Sequence, residues 1–197
     1  MKDLKLLLAA FLGIFIVFSP VANNFFLVEK ILPTPGITSK PLPPVEEKNM
    51  VGQQAPNLKM VYLNDNEIEQ EDFKGKTVVL YFWSTWCPTC WKGMWFMNDL
   101  YMKNADPNKI VVLAANIGFR DRQGEIERFM KRRDLKLPIT ICRTDAMAQF
   151  NISGIPAAFI IDDHGIIRYE EIGSIREKEF REKLKKILKE SNSAPEN

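Results

Sequence analysis

Two cysteines three positions apart, Cys87 and Cys90, are the residues of this chain best suited to chemistry. They lie in the segment FWSTWCPTCW, residues 82–91. A pair at this spacing can bind a metal ion, form a structural disulfide, or alternate between dithiol and disulfide. The chain has 3 cysteines and 1 histidine, so a Cys₃His zinc site would also need Cys142 and His164. No second closely spaced ligand pair is present, which argues against zinc.

Copper(I) is another ion that the pair could bind, because thiolate and thioether ligands select that ion. Met94 follows Cys90 by four positions and could complete such a set. Cys142 falls in an apolar stretch and is predicted to be a small buried hydrophobe, with an exposed third thiol as the alternative. His164 lies in a predicted turn, where we expect it to be solvated and catalytically idle.

The residues around the pair predict a strand that leads directly into a helix. Residues 77–83, TVVLYFW, are β-branched or aromatic throughout most of their length, which indicates a strand buried on both faces. Apolar residues then recur at helical spacing, at Met94, Met97, Leu100 and Tyr101. A helix that begins at Cys87 places this sulfur beside unpaired N–H groups and the positive end of the dipole, which favours a thiolate. Cys87 is therefore predicted to attack and Cys90, more covered, to resolve.

The remainder of the chain predicts an α/β protein. The predicted strands cover 109–116, 137–142, 157–161 and 166–172, and the predicted helices cover 125–133 and 177–189. Strands that alternate with helices imply parallel pairing, whereas the turn at 162–165 indicates a final antiparallel hairpin. The net charge is only +2 and 26% of the residues are charged, so no strong positive field predicts binding to nucleic acid.

The first 28 residues differ in kind from the rest. Residues 6–28 carry no charge and exceed the roughly 20 residues that cross a bilayer as a helix, so we predict an uncleaved signal anchor at 1–28. The weak excess of lysine before it places the remainder outside the cytoplasm. Secretion after signal cleavage is the alternative. Residues 29–48 are predicted to be a proline-rich linker and residues 191–197 a polar tail.

Two longer motifs, FWSTWCPTC and GIPAAFIIDDHGIIRYEEIG, resemble the thioredoxin superfamily, and within it the membrane-tethered TlpA, ResA and CcmG (DsbE) proteins. The resemblance begins near Val51 and implies that residues 49–190 form a thioredoxin fold, a central mixed β-sheet flanked by helices. It also implies a TlpA-like insert, an extra strand and helix between Cys90 and Pro156. The predicted transmembrane helix precedes this domain.

The same resemblance suggests which residues contact substrate. The peptide bond before Pro156 is expected to be cis and to hold substrate polypeptide beside the reactive sulfur. Ile155 and Pro156, together with Trp86 and Pro88 at the thiol pair, are therefore the expected substrate-binding residues. Trp86 is expected to cover the pair, as in the family.

Three positions depart from the family pattern. Gly93 stands where the family usually has a glutamate, and Tyr81 stands where thioredoxin has an acid, so the proton acceptor for Cys90 is unassigned. Trp95 replaces a proline that usually kinks the helix, and we expect core packing to explain it.

The implied activity is thiol-disulfide exchange with client proteins, without cofactor or metal. Reduction of clients, among them apocytochrome c, is expected, with electrons from a membrane thiol carrier. Oxidation or isomerisation of clients is the nearest alternative. A copper(I) chaperone and a non-catalytic assembly factor on the same fold are alternatives of a different class.

Overall fold

The computed structural model describes residues 49–191 except Leu58, Glu69, Asn104, Ala105 and Thr144. The strands in this part of the chain are β1 Met60–Tyr62, β2 Glu67–Ile68, β3 Thr77–Trp83, β4 Ile110–Asn116, β5 Ile139–Cys142, β6 Ala157–Ile161 and β7 Ile167–Ile172. The helices are α1 Pro88–Met102, α2 Gln123–Arg132, α3 Ala146–Gln149 and α4 Glu177–Ser191, with a 3₁₀ helix at Gln70–Phe73.

The predicted anchor at 1–28, the predicted linker at 29–48 and nearly all of the predicted tail lie outside the described residues. None of the helices that the structure does describe combines the length and the hydrophobicity that a membrane span requires.

The strands form one mixed sheet in the order β2-β1-β5-β4-β3-β6-β7. β3 pairs in parallel with β4, and β4 in parallel with β5, as the alternation of strands and helices predicts. β6 and β7 form the predicted antiparallel hairpin, and β6 also pairs antiparallel with β3. This arrangement is a thioredoxin-like α/β fold, and it places β3 in the interior of the sheet, between β4 and β6.

Every residue of β3 is buried, because helices or loops cover both faces of the sheet at its centre. Alternate side chains serve two separate cores. Val79, Tyr81 and Trp83 pack with α1, α2 and α4, whereas Val78, Leu80 and Phe82 face α3 and the segment before β1. The residues that lead into the cysteine pair are thus fixed on both sides.

The environment of Trp95 and some element boundaries differ from the prediction. Trp95 is 52% exposed, because α1 directs Met94 and Met97 into the core and leaves position 95 on the outer surface. Strand β5 begins at Ile139, two residues later than predicted. Pro138 has no N–H for the ladder, and the N–H of Leu137 is bound instead by the side-chain oxygen of Asn98 at 3.1 Å.

The segment before β1 covers part of the sheet edge at β7. Gly52 donates its N–H to the carbonyl of Ile167 at 2.7 Å, and Ile167 donates to the carbonyl of Gln53 at 2.9 Å. Gln54 forms an isolated antiparallel bridge with Ile166. At the opposite edge lies β2, which has only 2 residues.

Candidate active site

Cys87 and Cys90 are joined by a disulfide at the N-terminal end of α1, with their Cα atoms 5.4 Å apart. The two cysteines are not equally covered: Cys87 keeps 5% exposure and Cys90 has 0%. The structure therefore brings the two predicted thiols together. It leaves the predicted attacking residue as the more accessible one, although even Cys87 is largely covered in the oxidised state.

The backbone at this point explains the position of Cys87. It is the N-cap residue of α1, with extended backbone angles, and Pro88 follows within the first helical turn, where a missing N–H is harmless. No side chain caps the helix at this residue. The positive end of the helix dipole can therefore stabilise negative charge on the reduced sulfur.

The loop before β6 lies against the sulfur pair. The Ile155–Pro156 peptide bond is cis, as the resemblance implies. Cys87 Sγ lies 3.9 Å from the carbonyl oxygen of Ile155 and 3.3 Å from the hydroxyl oxygen of Thr89. Pro156 is buried and Ile155 half-buried. Two segments far apart in sequence thus meet at Cys87.

Trp86 and Pro88 are both exposed on either side of Cys87. The indole N–H of Trp86 donates to the carbonyl of Phe119 at 2.8 Å, and the two rings meet edge to face. The observed partner of Trp86 is therefore the loop after β4, whereas the resemblance implies that this side chain covers the thiol pair.

A groove of about 770 Å³ lies between the residue that precedes Cys87 and the loop before β6, and it is lined by Trp86, Phe119, Met147 and Ile155. Arg143 and Asp145 add charge, and Cys142 also lines it. Its apolar side chains continue to the cis-proline loop. An extended polypeptide in the groove would therefore pass close to Cys87.

Tyr81, in the middle of β3, contacts the second cysteine from below. Its side chain is completely buried, and its hydroxyl donates to the carbonyl oxygen of Cys90 at 2.8 Å. Gly93 makes this approach possible: a Cβ at position 93 would overlap the Tyr81 hydroxyl oxygen and lie 2.7 Å from its Cζ. Tyr81 and Gly93, which both depart from the family pattern, are thus packed against each other in the structure.

Asp121, in the loop between β4 and α2, holds the residues that precede the cysteine pair. Its Oδ2 accepts hydrogen bonds from Ser84 Oγ at 2.6 Å, the Thr85 backbone N–H at 2.8 Å and Asn116 Nδ2 at 2.6 Å. Its Oδ1 accepts from the Thr85 hydroxyl. The carbonyl of Thr85 in turn accepts from the indole N–H of Trp91 at 3.2 Å. One carboxylate therefore joins the ends of β3 and β4 to the start of the active-site segment.

The electrostatics of Asp121 follow from these bonds. Burial alone would raise the pKa of its carboxyl, but hydrogen bonds from Asn116, Ser84 and Thr85 outweigh burial and hold the pKa below its ordinary value. The residue is therefore ionised at neutral pH.

Cys142, His164 and Met94, the other candidate ligands, lie on three different elements. Cys142 ends β5 and is 6% exposed, and burial raises the pKa of its thiol to about 12, so the prediction of a buried hydrophobe is confirmed. His164 is exposed in the turn between β6 and β7, as predicted, and Met94 is 1% exposed on α1. Within the described residues, no group of three His, Cys, Asp or Glu side chains is arranged to hold a metal ion.

Asp121 and Phe119 were not predicted from the sequence. A signal for Asp121 was present: Ser84 and Thr85 follow β3, and Asn116 ends the neighbouring parallel strand. Carboxyl ends of adjacent parallel strands meet at one edge, so a polar cluster could be expected there. Phe119 lies in a loop and carries no comparable pattern.

Comparison with known proteins agrees with this geometry. Residues 50–188 match the Redoxin family. The thiol-disulfide oxidoreductase ResA of Bacillus thuringiensis subsp. konkukian (strain 97-27) is 36% identical over 144 residues, which cover 72% of this chain and 81% of that protein. The thioredoxin-like protein YneN of Bacillus subtilis (strain 168) is 34% identical over 134 residues, which cover 68% and 78%.

Among solved structures, a thiol-disulfide isomerase from Corynebacterium glutamicum superposes with a TM-score of 0.60 at 19% identity. The match covers 68% of this chain and 96% of that one, and it supports the fold. Sequence and structure thus agree. The chain belongs to the Redoxin family, within the thioredoxin superfamily, and is a ResA-like thiol-disulfide oxidoreductase.

Proposed function

We propose that the protein reduces disulfides in client proteins outside the cytoplasm, with Cys87 as the attacking thiol and Cys90 as the resolving thiol. The observation that carries this assignment is the unequal burial of the two residues at the start of α1, where Cys87 is the more accessible. An attacking sulfur has to meet a client, whereas a resolving sulfur has to meet only its neighbour. The helix N-terminus stabilises the thiolate that attacks.

The chemistry takes place in two exchanges. The Cys87 thiolate attacks a client disulfide; a bond forms between Cys87 and one client sulfur, and the other client sulfur leaves and takes up a proton. Cys90 then loses its proton and attacks Cys87. The Cys87–Cys90 disulfide forms, and the second client sulfur leaves as a thiol. The enzyme dithiol is oxidised and the client disulfide is reduced.

Client binding is assigned to the surface around Cys87. Trp86 and Pro88 flank Cys87 in the chain, and the carbonyl of Ile155, which precedes Pro156, lies 3.9 Å from its sulfur. Phe119 extends this surface along the groove. The Ile155 carbonyl lies beside Cys87, where client backbone can pass.

Location and partners rest on the sequence and its resemblance. Residues 1–28 have the length and hydrophobicity of a membrane anchor, with secretion after cleavage as the alternative. A reductase outside the cytoplasm needs a source of electrons, and a membrane thiol carrier is the donor that we propose. Apocytochrome c is the proposed client, and oxidation or isomerisation is the alternative direction.

Trapping of clients tests the assignment of the two thiols. In a Cys90→Ala variant, the mixed disulfide cannot be resolved, so clients are expected to accumulate on Cys87 and to be released by dithiothreitol. The matched control is the Cys87→Ala variant, in which no such adducts should form at early times. Adducts that form through Cys90 instead, or no adducts in either variant, would contradict the proposal.

A further inference from the structure

The contact between Tyr81 and Cys90 ties the second cysteine to the sheet. Tyr81 belongs to β3, which is buried along its whole length and paired on both sides. Its hydroxyl donates to the main-chain carbonyl of Cys90, and this bond does not involve the sulfur of either cysteine. Opening of the disulfide therefore does not by itself break this bond.

We propose that Tyr81 is a positioning residue for the resolving step: it holds Cys90 in place for attack on the mixed disulfide. Gly93 is the second half of this device, because a side chain at position 93 would displace the Tyr81 hydroxyl. The inference rests on the proposed roles of Cys87 and Cys90. It adds a residue to the second exchange only.

The physical basis is proximity. Attack requires the Cys90 sulfur to lie in line with the bond between Cys87 and the client, and a helix end that is free to shift makes such alignments rarer. Burial raises the pKa of the Tyr81 phenol well above its ordinary value, so the group stays protonated and remains a hydrogen-bond donor. It neither takes nor supplies the proton that Cys90 loses. That proton ends on the departing client sulfur, which balances the step.

The two exchanges can be measured separately in the full-length chain with a short peptide that contains one disulfide. Attack is measured as formation of the mixed disulfide in the Cys90→Ala background. Release is measured with Cys90 present, in a single turnover at saturating peptide, from the amount of mixed disulfide in acid-quenched samples.

Tyr81→Phe removes only the hydroxyl. We expect release to slow about fivefold, the effect of one lost hydrogen bond, while attack stays within about twofold of the parent. The pH midpoint of release should not move, since the hydroxyl exchanges no proton with sulfur. Unchanged release, an equal loss in attack, or a shifted pH midpoint would each overturn the positioning role.

Tyr169→Phe is the matched control, because Tyr169 lies in the same core and its hydroxyl donates to Glu171 rather than to α1. It should alter neither exchange, and a loss of release equal to that of Tyr81→Phe would overturn the proposal. A failure of the Cys90→Ala protein to form any mixed disulfide would instead refute the proposed roles of the cysteines.

Gly93→Ala tests the contact from the other side. Its added methyl group displaces the Tyr81 hydroxyl, so release should slow in the parent chain. In a Tyr81→Leu background, which lacks the ring and hydroxyl, the same substitution should have little further effect. Additive effects of the two substitutions would overturn the proposed coupling.

Discussion

Trp86 and Phe119 form an exposed aromatic pair, with ring centroids 6.2 Å apart and an indole hydrogen bond of 2.8 Å between them. Trp86 is 47% exposed and Phe119 56% exposed. The guanidinium of Arg120 lies 5.0 Å from the centre of the Phe119 ring. Exposed aromatic side chains with a neighbouring arginine are common in protein-binding surfaces, and these lie directly beside the reactive cysteine.

Removal of this pair should weaken exchange with protein clients. We expect Trp86→Ala or Phe119→Ala to lower kcat/KM for a protein client about tenfold, because an anchoring aromatic contact is lost. A small-molecule disulfide, which does not fill the groove, should react at the parental rate. Stopped-flow assays with both substrates measure the difference.

Trp95→Ala is the control for this prediction. Trp95 is 52% exposed, yet it lies on α1 and does not line the groove. Its loss should leave the rates of exchange with the protein client and with the small-molecule disulfide unchanged. If it impaired the protein client as much as Trp86→Ala, recognition would depend on general surface hydrophobicity and not on the groove.

Asp121 should make the fold sensitive to acid. The pKa of its carboxyl is lowered in the folded state, so its stabilising contribution is present above the ordinary value of 3.8 and is lost progressively as pH falls from there through the lower pKa of the folded state. Asp121→Asn should cost about 2 kcal/mol in the free energy of unfolding at pH 7, because charge-assisted hydrogen bonds are lost. The difference in the free energy of unfolding between variant and parent should be smaller at pH 3, as measured by urea denaturation.

Asp134→Asn provides the comparison, since the Asp134 side chain is 85% exposed and pairs with Lys136 at the surface. We expect this change to alter stability by less than about 0.5 kcal/mol. If the loss of unfolding free energy in Asp121→Asn stayed constant from pH 7 to pH 3, the ionised carboxylate would not be the source of the stabilisation.

Cys142 should be inert in the folded protein. It is 6% exposed and burial raises the pKa of its thiol to about 12, so almost none is ionised at neutral pH. Iodoacetamide at pH 7.5 should label reduced Cys87 first and leave Cys142 unlabelled until denaturant is added. Mass spectrometry of tryptic peptides separates the two sites, and rapid native labelling of Cys142 would contradict the prediction.

The reduction potential should be that of a reductant. Reduction of clients requires the Cys87–Cys90 disulfide to be more stable than the client disulfide, so we expect a value near about −270 mV and far from the roughly −120 mV of an oxidant. Equilibration with glutathione or dithiothreitol buffers, followed by thiol labelling, measures it. A value near the oxidising limit would favour client oxidation.

Prediction from sequence succeeded where one local pattern determines one element. Residues 77–83 form β3 as predicted, because a strand buried on both faces is apolar along most of its length. The residues after Cys87 form α1 as predicted, because a helix buried along one side has apolar residues at helical spacing. Strands β1 and β2 have 3 and 2 residues, too few for any periodicity. Pairing with β5, which is far away in sequence, fixes β1, and β2 in turn pairs with β1.

The active site shows the same division. The spacing of the cysteines was readable, but Tyr81 and Gly93 looked like two unrelated losses of a carboxylate. Their complementary fit exists only after β3 and α1 have packed together. Asp121 likewise acquires its partners only when the loop after β4 folds onto the end of β3.

The short or partly covered edge strands of the sheet have a consequence for solubility. An enzyme that meets incompletely folded chains is exposed to many unpaired backbones, and a long open strand would invite intermolecular association. Here β2 is too short to act as a template, and residues 52–54 already occupy positions alongside β7. Among the described strands, the short β2 and the covered start of β7 are thus poor templates for aggregation.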